Sequence, residues 1–167
     1  MLTLALPARR RVLDTSRLGR HHDRLYRAAL SMCGSPHDAE DLVQEVCVRV
    51  LAKPRLLSGE DDLGYLLRVL RNTFISSRRT AARRPASATA PGDLERFASS
   101  APADPQRALE ASELYDAIAG LPDHQRDTLV AVDLLGLSYA EAASALDVPA
   151  GTIMSRLYRA RGALAAA

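Results

Sequence analysis

Between Pro85 and Pro105 the chain reads Pro-Ala-Ser-Ala-Thr-Ala-Pro-Gly-Asp-Leu-Glu-Arg-Phe-Ala-Ser-Ser-Ala-Pro-Ala-Asp-Pro, with four prolines and few large apolar side chains. Proline fixes φ and lacks a backbone N–H, so no helix interior or central strand runs through such a stretch. The composition is that of a linker, not of a core element. It divides the chain into an N-terminal extension (1–13), a helical unit (14–84), the linker (85–105) and a second helical unit (106–167).

Both flanking units read as all-α. Hydrophobic residues make up 47% of the 167 residues, but aromatic ones only 4%, with no Trp. β-branched and aromatic residues never alternate over a useful run, so strand signals are nearly absent. The apolar start, Met1 to Leu6, is too short for a signal sequence, and Arg9-Arg10-Arg11 follows it where a signal would need the charge first. No stretch approaches the ~20 apolar residues of a membrane span. A cytoplasmic protein with no membrane insertion is expected. Cys33 and Cys47 fit a reducing compartment as small buried hydrophobes. With His22 and His37 they lack any Cys-x-x-Cys or His-x-x-x-His spacing, so no metal and no cofactor is expected.

The formal charge of +2 hides strong segregation. Residues 1–35 hold seven arginines against two acids, and 36–62 hold three basic residues against seven acids. Residues 63–84 carry six arginines and no acid, whereas 85–123 carry two arginines and seven acids. Blocks of this kind point to separate faces for phosphate and for a basic protein partner.

In the first unit, Gly34 can end a helix running through Leu25, Tyr26, Ala29 and Leu30. Ser35-Pro36-His37-Asp38 then restarts the chain with an N-cap, a proline in the first turn and an acid beyond it. Ala39, Leu42, Val43, Val46 and Val50 form the inner stripe of this second helix, which leaves Asp38, Asp41, Gln44, Glu45 and Arg49 outside. Such an acidic face is usually a solvated one. A carboxylate metal site on it lacks the Glu-x-x-His pairs of helical di-metal centres. A third helix spans about Leu63 to Ala81, with Leu63, Leu66, Leu67, Leu70 and Phe74 inward. Arg68, Arg71, Asn72, Ser76, Arg78 and Arg79 occupy its other faces, a pattern suited to a nucleic-acid backbone, and Tyr65 offers a stacking surface.

Near the C-terminus Ser138 and Glu141 form a capping box, and Ala142, Ala143 and Leu146 supply an apolar face to a short helix ending near Asp147. Pro149 favours a new first turn, and Ile153, Leu157, Ala160 and Leu164 recur at helical spacing on the helix that follows. This reads as a helix-turn-helix, with a short helical hairpin carrying a solvated basic face as the alternative for the same pattern. Ser155, Tyr158, Arg159 and Gly162 point outward, with Thr152 and Arg156 on one flank and Met154 and Arg161 on the other. In such motifs the start of the second helix meets base edges in the major groove while arginines and hydroxyls hold phosphates.

Leu25-Tyr26-Arg27-Ala28-Ala29-Leu30, Asp38-Ala39-Glu40-Asp41-Leu42-Val43-Gln44-Glu45, Tyr65-Leu66-Leu67-Arg68-Val69-Leu70-Arg71-Asn72 and Gly151-Thr152-Ile153-Met154-Ser155-Arg156-Leu157-Tyr158-Arg159-Ala160-Arg161 resemble the extracytoplasmic-function (group four) sigma factors of bacterial RNA polymerase. The match covers about 20–84 and 108–164, in the family's order. The C-terminal segment alone also resembles the DNA-binding domain of LuxR-type regulators, so the acidic second helix carries the discrimination.

The resemblance implies two small helical domains, sigma region two and sigma region four, joined by a flexible linker. It implies that Asp38, Asp41, Gln44 and Glu45 dock on the β′ clamp helices of core RNA polymerase, with the β flap as a further contact. Tyr65, Arg68, Arg71, Asn72, Arg78 and Arg79, with the loop Leu57-Ser58-Gly59-Glu60-Asp61, would capture and melt the minus-ten element as single-stranded DNA. Thr152, Ser155, Arg156, Tyr158 and Arg159 would read the duplex minus-thirty-five element. An anti-sigma factor is implied as a further partner, and no enzyme activity is. The chain departs from the family's usual residues at Met154 (Lys or Arg), Leu51 and Tyr65 (both Trp) and Ser76-Ser77 (Asp-Arg). A stand-alone regulator of duplex DNA and a carboxylate-metal nuclease are the alternatives from other classes.

Overall fold

The computed structural model describes residues 10–13, 18–53, 56–58, 62–83 and 105–166, so the proline-rich stretch up to residue 104 and residues 59–61 of the expected melting loop lie outside the described residues. Strand β1 (Arg10–Val12) pairs antiparallel with β2 (Leu56–Ser58), with Arg10 opposite Ser58 and Val12 opposite Leu56. Three residues are too few to display an alternating pattern, which is why this ribbon leaves no sequence signal. Everything else described is helix or connection. The first half holds α1 (Leu18–Cys33), α2 (Pro36–Ala52) and α3 (Asp62–Arg83). The second holds α4 (Pro105–Ala119), α5 (Asp123–Leu129) running into a π-helical turn (Val130–Leu134), α6 (Tyr139–Leu146) and α7 (Ala150–Ala165).

The helix ends follow from local chemistry. Gly34, at φ 69°, donates its N–H to Leu30 O at 2.8 Å and closes α1. A left-handed residue is required there, and glycine adopts it without a Cβ penalty. A Cβ at this position would stand 3.5 Å from Ala119 of α4, an ordinary packing distance, so the backbone conformation and not crowding is what calls for glycine. Ser35 caps α2 by accepting the Asp38 N–H at 3.4 Å, and Asp38 sits in the first turn, where the helix dipole favours an anion.

At α6 the capping box is complete. Glu141 N–H donates to Ser138 Oγ at 3.3 Å while Ser138 N–H donates to Glu141 Oε2 at 2.8 Å. Hydrogen bonds from Ser138 hold the Glu141 carboxyl below the usual carboxylate range. The helix stops at Asp147, whose φ of 55° is a left-handed conformation that aspartate tolerates better than most residues. Pro149 then leads into α7.

The inner stripe of α2 comprises Ala39, Leu42, Val43, Val46 and Val50, all buried, as its spacing requires. On α3, Leu66, Leu67, Leu70 and Phe74 are buried and Leu63 is half-buried. On α6 the buried arc differs from expectation: Ala142 and Ala145 are fully enclosed, whereas Ala143 and Leu146 are half-buried. The reason is that α6 packs against α3 as well as α7. One continuous apolar cluster joins α1, α2 and α3 to Val130, Ala131, Leu135, Leu137, Ala142, Ala145 and Ile153 of the second half. A smaller cluster of Ile118, Leu121, Leu129, Leu157 and Ala160 lies within the second half. Periodicity identifies which face of a helix is apolar but not which element covers it, so this shared core is a tertiary finding.

Both cysteines are unpaired. Burial, with Asp38 nearby, pushes the Cys33 thiol up to about 12, and burial also raises Cys47. Thiols of this kind stay protonated at neutral pH and behave as small hydrophobes. Among the described residues no group of three or more His, Cys, Asp or Glu could hold a metal ion, and no helix is long and apolar enough to cross a membrane.

Candidate nucleic-acid interface

Helix α2 turns Asp38, Asp41, Gln44 and Glu45 to solvent, because its apolar stripe faces α1 and α3. Glu45 Oε1 accepts from Arg49 Nε at 2.6 Å one turn on, and His37 Nε2 lies 3.6 Å from Asp41 Oδ2. The outer face does not stay polar. Val48 and Leu51 are 60% and 53% exposed and extend the row from Gln44 at helical spacing. Val48 was not among the residues singled out from sequence, although its spacing from Gln44 would have found it. The face as a whole is a carboxylate-rich turn followed by an apolar one.

On α3 the basic residues are not equivalent. Asn72 and Arg79 are exposed, while Tyr65 is half-buried against the apolar core. Three arginines reach across to the second half of the molecule. Arg68 Nη2 donates to Ser144 O of α6 at 3.2 Å, and Arg71 Nε donates to Asp127 Oδ2 of α5 at 2.5 Å. Arg78 Nη1 lies at the edge of hydrogen-bond range, 3.5 Å, from Asp123 Oδ1.

Phe74 is the centre of this contact. The guanidinium carbons of Arg78 and Arg126 stand 5.6 and 5.3 Å from its ring centroid, a cation–π arrangement on both. Arg126 is itself buried and donates to Asp123 Oδ1 at 2.6 Å and Ala119 O at 3.3 Å. Its Nε has no hydrogen-bond partner. Asp127 is only 6% exposed and Arg71 38%, so this pair is partly withdrawn from water. Part of the basic charge of residues 63–84 is therefore met inside the molecule. Sequence reasoning missed Asp123 and Asp127. Their spacing of one helical turn, set against arginines seven apart on α3, was the available signal, but it is meaningful only once α5 lies on α3.

The helix-turn-helix lies open. Ile153, Leu157 and Ala160 of α7 are buried, against α5 and α6, so Ser155, Tyr158 and Arg159 are exposed and Thr152 and Arg156 half-buried on one flank. Ser155 Oγ donates to Thr152 O at 3.1 Å. On the other flank Arg161 is held by Asp133, Nη2 to Oδ1 at 2.6 Å and Nε to Oδ2 at 3.1 Å. The outer face of α7 is thus free in an arrangement where much of the arginine-rich face of α3 is engaged.

Comparison with known proteins matches residues 18–84 to the family model Sigma-70 region 2 and residues 111–164 to Sigma-70, region 4. The chain is 37% identical over 139 residues to the ECF RNA polymerase sigma factor EcfG of Rhodopseudomonas palustris, covering 83% of this chain and 75% of that protein. It is 35% identical over 145 residues to the ECF RNA polymerase sigma factor SigE of Mycolicibacterium smegmatis, covering 84% of this chain but spanning only 56% of that relative. The sigma factor RpoE of Bartonella quintana, solved in complex with the anti-sigma factor NepR, superposes with a TM-score of 0.67 at 26% identity, over 89% of this chain and 92% of that one.

Proposed function

The chain belongs to the extracytoplasmic-function sigma factors, and from that premise we propose that it binds core RNA polymerase and directs promoter recognition, melting and transcription initiation. The observation that carries this reading is the pairing, on one chain, of an exposed carboxylate face on α2 with an uncovered helix-turn-helix. A stand-alone DNA-binding regulator accounts for the second feature and leaves the first as an ordinary solvated face.

In this reading Asp38, Asp41, Gln44 and Glu45 meet the β′ clamp helices, and the second half contacts the β flap. Thr152, Ser155, Arg156, Tyr158 and Arg159 meet the duplex minus-thirty-five element. Tyr65, Arg68, Arg71, Asn72, Arg78 and Arg79 meet the melted minus-ten element. The chain performs no bond chemistry; it supplies binding energy and captures a displaced strand in the cytoplasm. An anti-sigma factor is the regulatory partner. Arg71 and Arg78 already face Asp127 and Asp123, so strand capture by these two guanidinium groups competes with the acids of α5 for their charge.

Charge reversal of the α2 face tests the polymerase half of the proposal. Asp41→Arg combined with Glu45→Arg should weaken co-purification with core polymerase by about tenfold or more, since like charges across an interface cost several kcal/mol. Undiminished core binding would remove the α2 carboxylates from the polymerase contact, and binding of duplex DNA by a wild-type chain that never captures core enzyme would favour the stand-alone regulator. On the DNA half, Arg156→Ala should lower the slope of log affinity against log salt by about one, the signature of one lost phosphate contact. An unchanged slope removes Arg156 from the backbone contacts.

A further inference from the structure

We propose that α7 selects its duplex site through thymine methyl groups, using an uncharged contact stripe made by Gly151, Met154, Ser155 and Tyr158. The inference rests on the sigma-factor reading, in which the start of α7 enters the major groove, and adds to it the chemistry by which the base edges are told apart.

At 3.6 residues per turn these four positions fall in a sector of ~100° that runs from the Met154 flank across the outer face, clear of the buried Ile153, Leu157 and Ala160. Met154 is 58% exposed and Tyr158 82% exposed, one turn apart on the same face. Neither has a packing role that would explain its apolar character. They stand on the first turns of α7, the part of a second helix that meets base edges in this motif.

The stripe lacks the groups that read the other bases. Guanine is recognised by a bidentate Arg or Lys, and adenine by Asn or Gln; none of these lies in the sector. The hydroxyl proton of Ser155 is spent on Thr152 O at 3.1 Å. Arg161, the nearest guanidinium on the Met154 side, is tied by two bonds to Asp133. Arg156 lies on the opposite flank, and Arg159, one turn beyond Ser155, borders the stripe on that side, where both can reach the backbone. In the major groove the one apolar group any base presents is the C5 methyl of thymine. Gly151 adds clearance: a Cβ built there meets nothing within 4 Å, so its absence relieves no crowding in the protein and leaves the first turn bare toward a groove floor.

The test uses holoenzyme assembled from core polymerase and the full chain. A duplex promoter pool randomised over the minus-thirty-five element is selected for binding, and each thymine of the winning duplex is then replaced by deoxyuridine, which deletes only the methyl. One or two replacements should each weaken binding by roughly fourfold, the worth of one buried methyl. In the Met154→Ala/Tyr158→Ala variant that penalty should vanish while the salt slope stays unchanged. A winning site without thymine, deoxyuridine equivalent to thymine, or a penalty that persists in the double variant would overturn the proposal. Core binding is scored in the same preparation by co-migration with polymerase. Its loss in the wild-type chain would overturn the parent reading, whereas intact core binding without a methyl effect would overturn this inference alone.

Discussion

Leu70→Ala is expected to lower the unfolding free energy by about 2–5 kcal/mol, the range for removing a buried leucine side chain from a packed interior. Against a typical total of roughly 5–15 kcal/mol this is enough to leave a marginal chain largely unfolded near body temperature. Leu70 is fully buried in the cluster that α1, α2 and α3 share with Val130, Leu135 and Ile153. The loss should therefore be felt in both halves. Urea unfolding followed by helical circular dichroism and by a probe on α4 should shift together for this variant. A second half that keeps its wild-type midpoint would mean that the two clusters are energetically separate.

The second large effect concerns α5 and α3. Removing both acids, Asp123→Ala with Asp127→Ala, deletes the ion pairs to Arg71 and Arg78 and also the bond that Asp123 accepts from the buried Arg126, so the contact of α5 on α3 is loosened at Phe74 as well. The two arginines are then free for phosphate, and the arrangement that occupies them loses its electrostatic support. When the competent form is a minor population, apparent affinity rises in proportion to that population. Two pairs of about 0.5–1 kcal/mol each correspond to roughly a tenfold gain. A labelled mixed-sequence single strand should thus bind the double variant about tenfold more tightly at low salt. Equal affinity would show that the acids do not compete with DNA.

The parts of this molecule that were legible in sequence are those fixed within one or two helical turns. Ser35-Pro36 at the start of α2, Gly34 at the end of α1 and the Ser138/Glu141 box each act on backbone groups a few residues away, so residue type and spacing determine them. The stripe of α2, and that of α7 except for the half-buried Leu164, were likewise readable, because a 3.6-residue period needs no knowledge of the partner. What could not be read is non-local. Asp127 reads as an ordinary helical acid until α5 is laid on α3, 56 residues away in sequence from Arg71. The shift of the buried arc of α6 toward Ala145 has the same origin, since α3 covers a side of α6 that the helix-turn-helix pattern leaves free. Among the candidate site residues, the exposure of the α2 carboxylates and of Tyr158 could be foreseen from opposing apolar stripes. The engagement of Arg68, Arg71 and Arg78 within the molecule could not, because it depends on how the two halves pack.

In the proposed function one chain joins polymerase docking to promoter reading. Run-off transcription with purified core polymerase, scored on a selected promoter with and without the protein, tests it most directly. A discrete transcript that requires the chain, and that is lost when Asp41→Arg and Glu45→Arg are introduced together, is the expected result. A chain that binds the promoter duplex yet yields no transcript with competent core enzyme would contradict it.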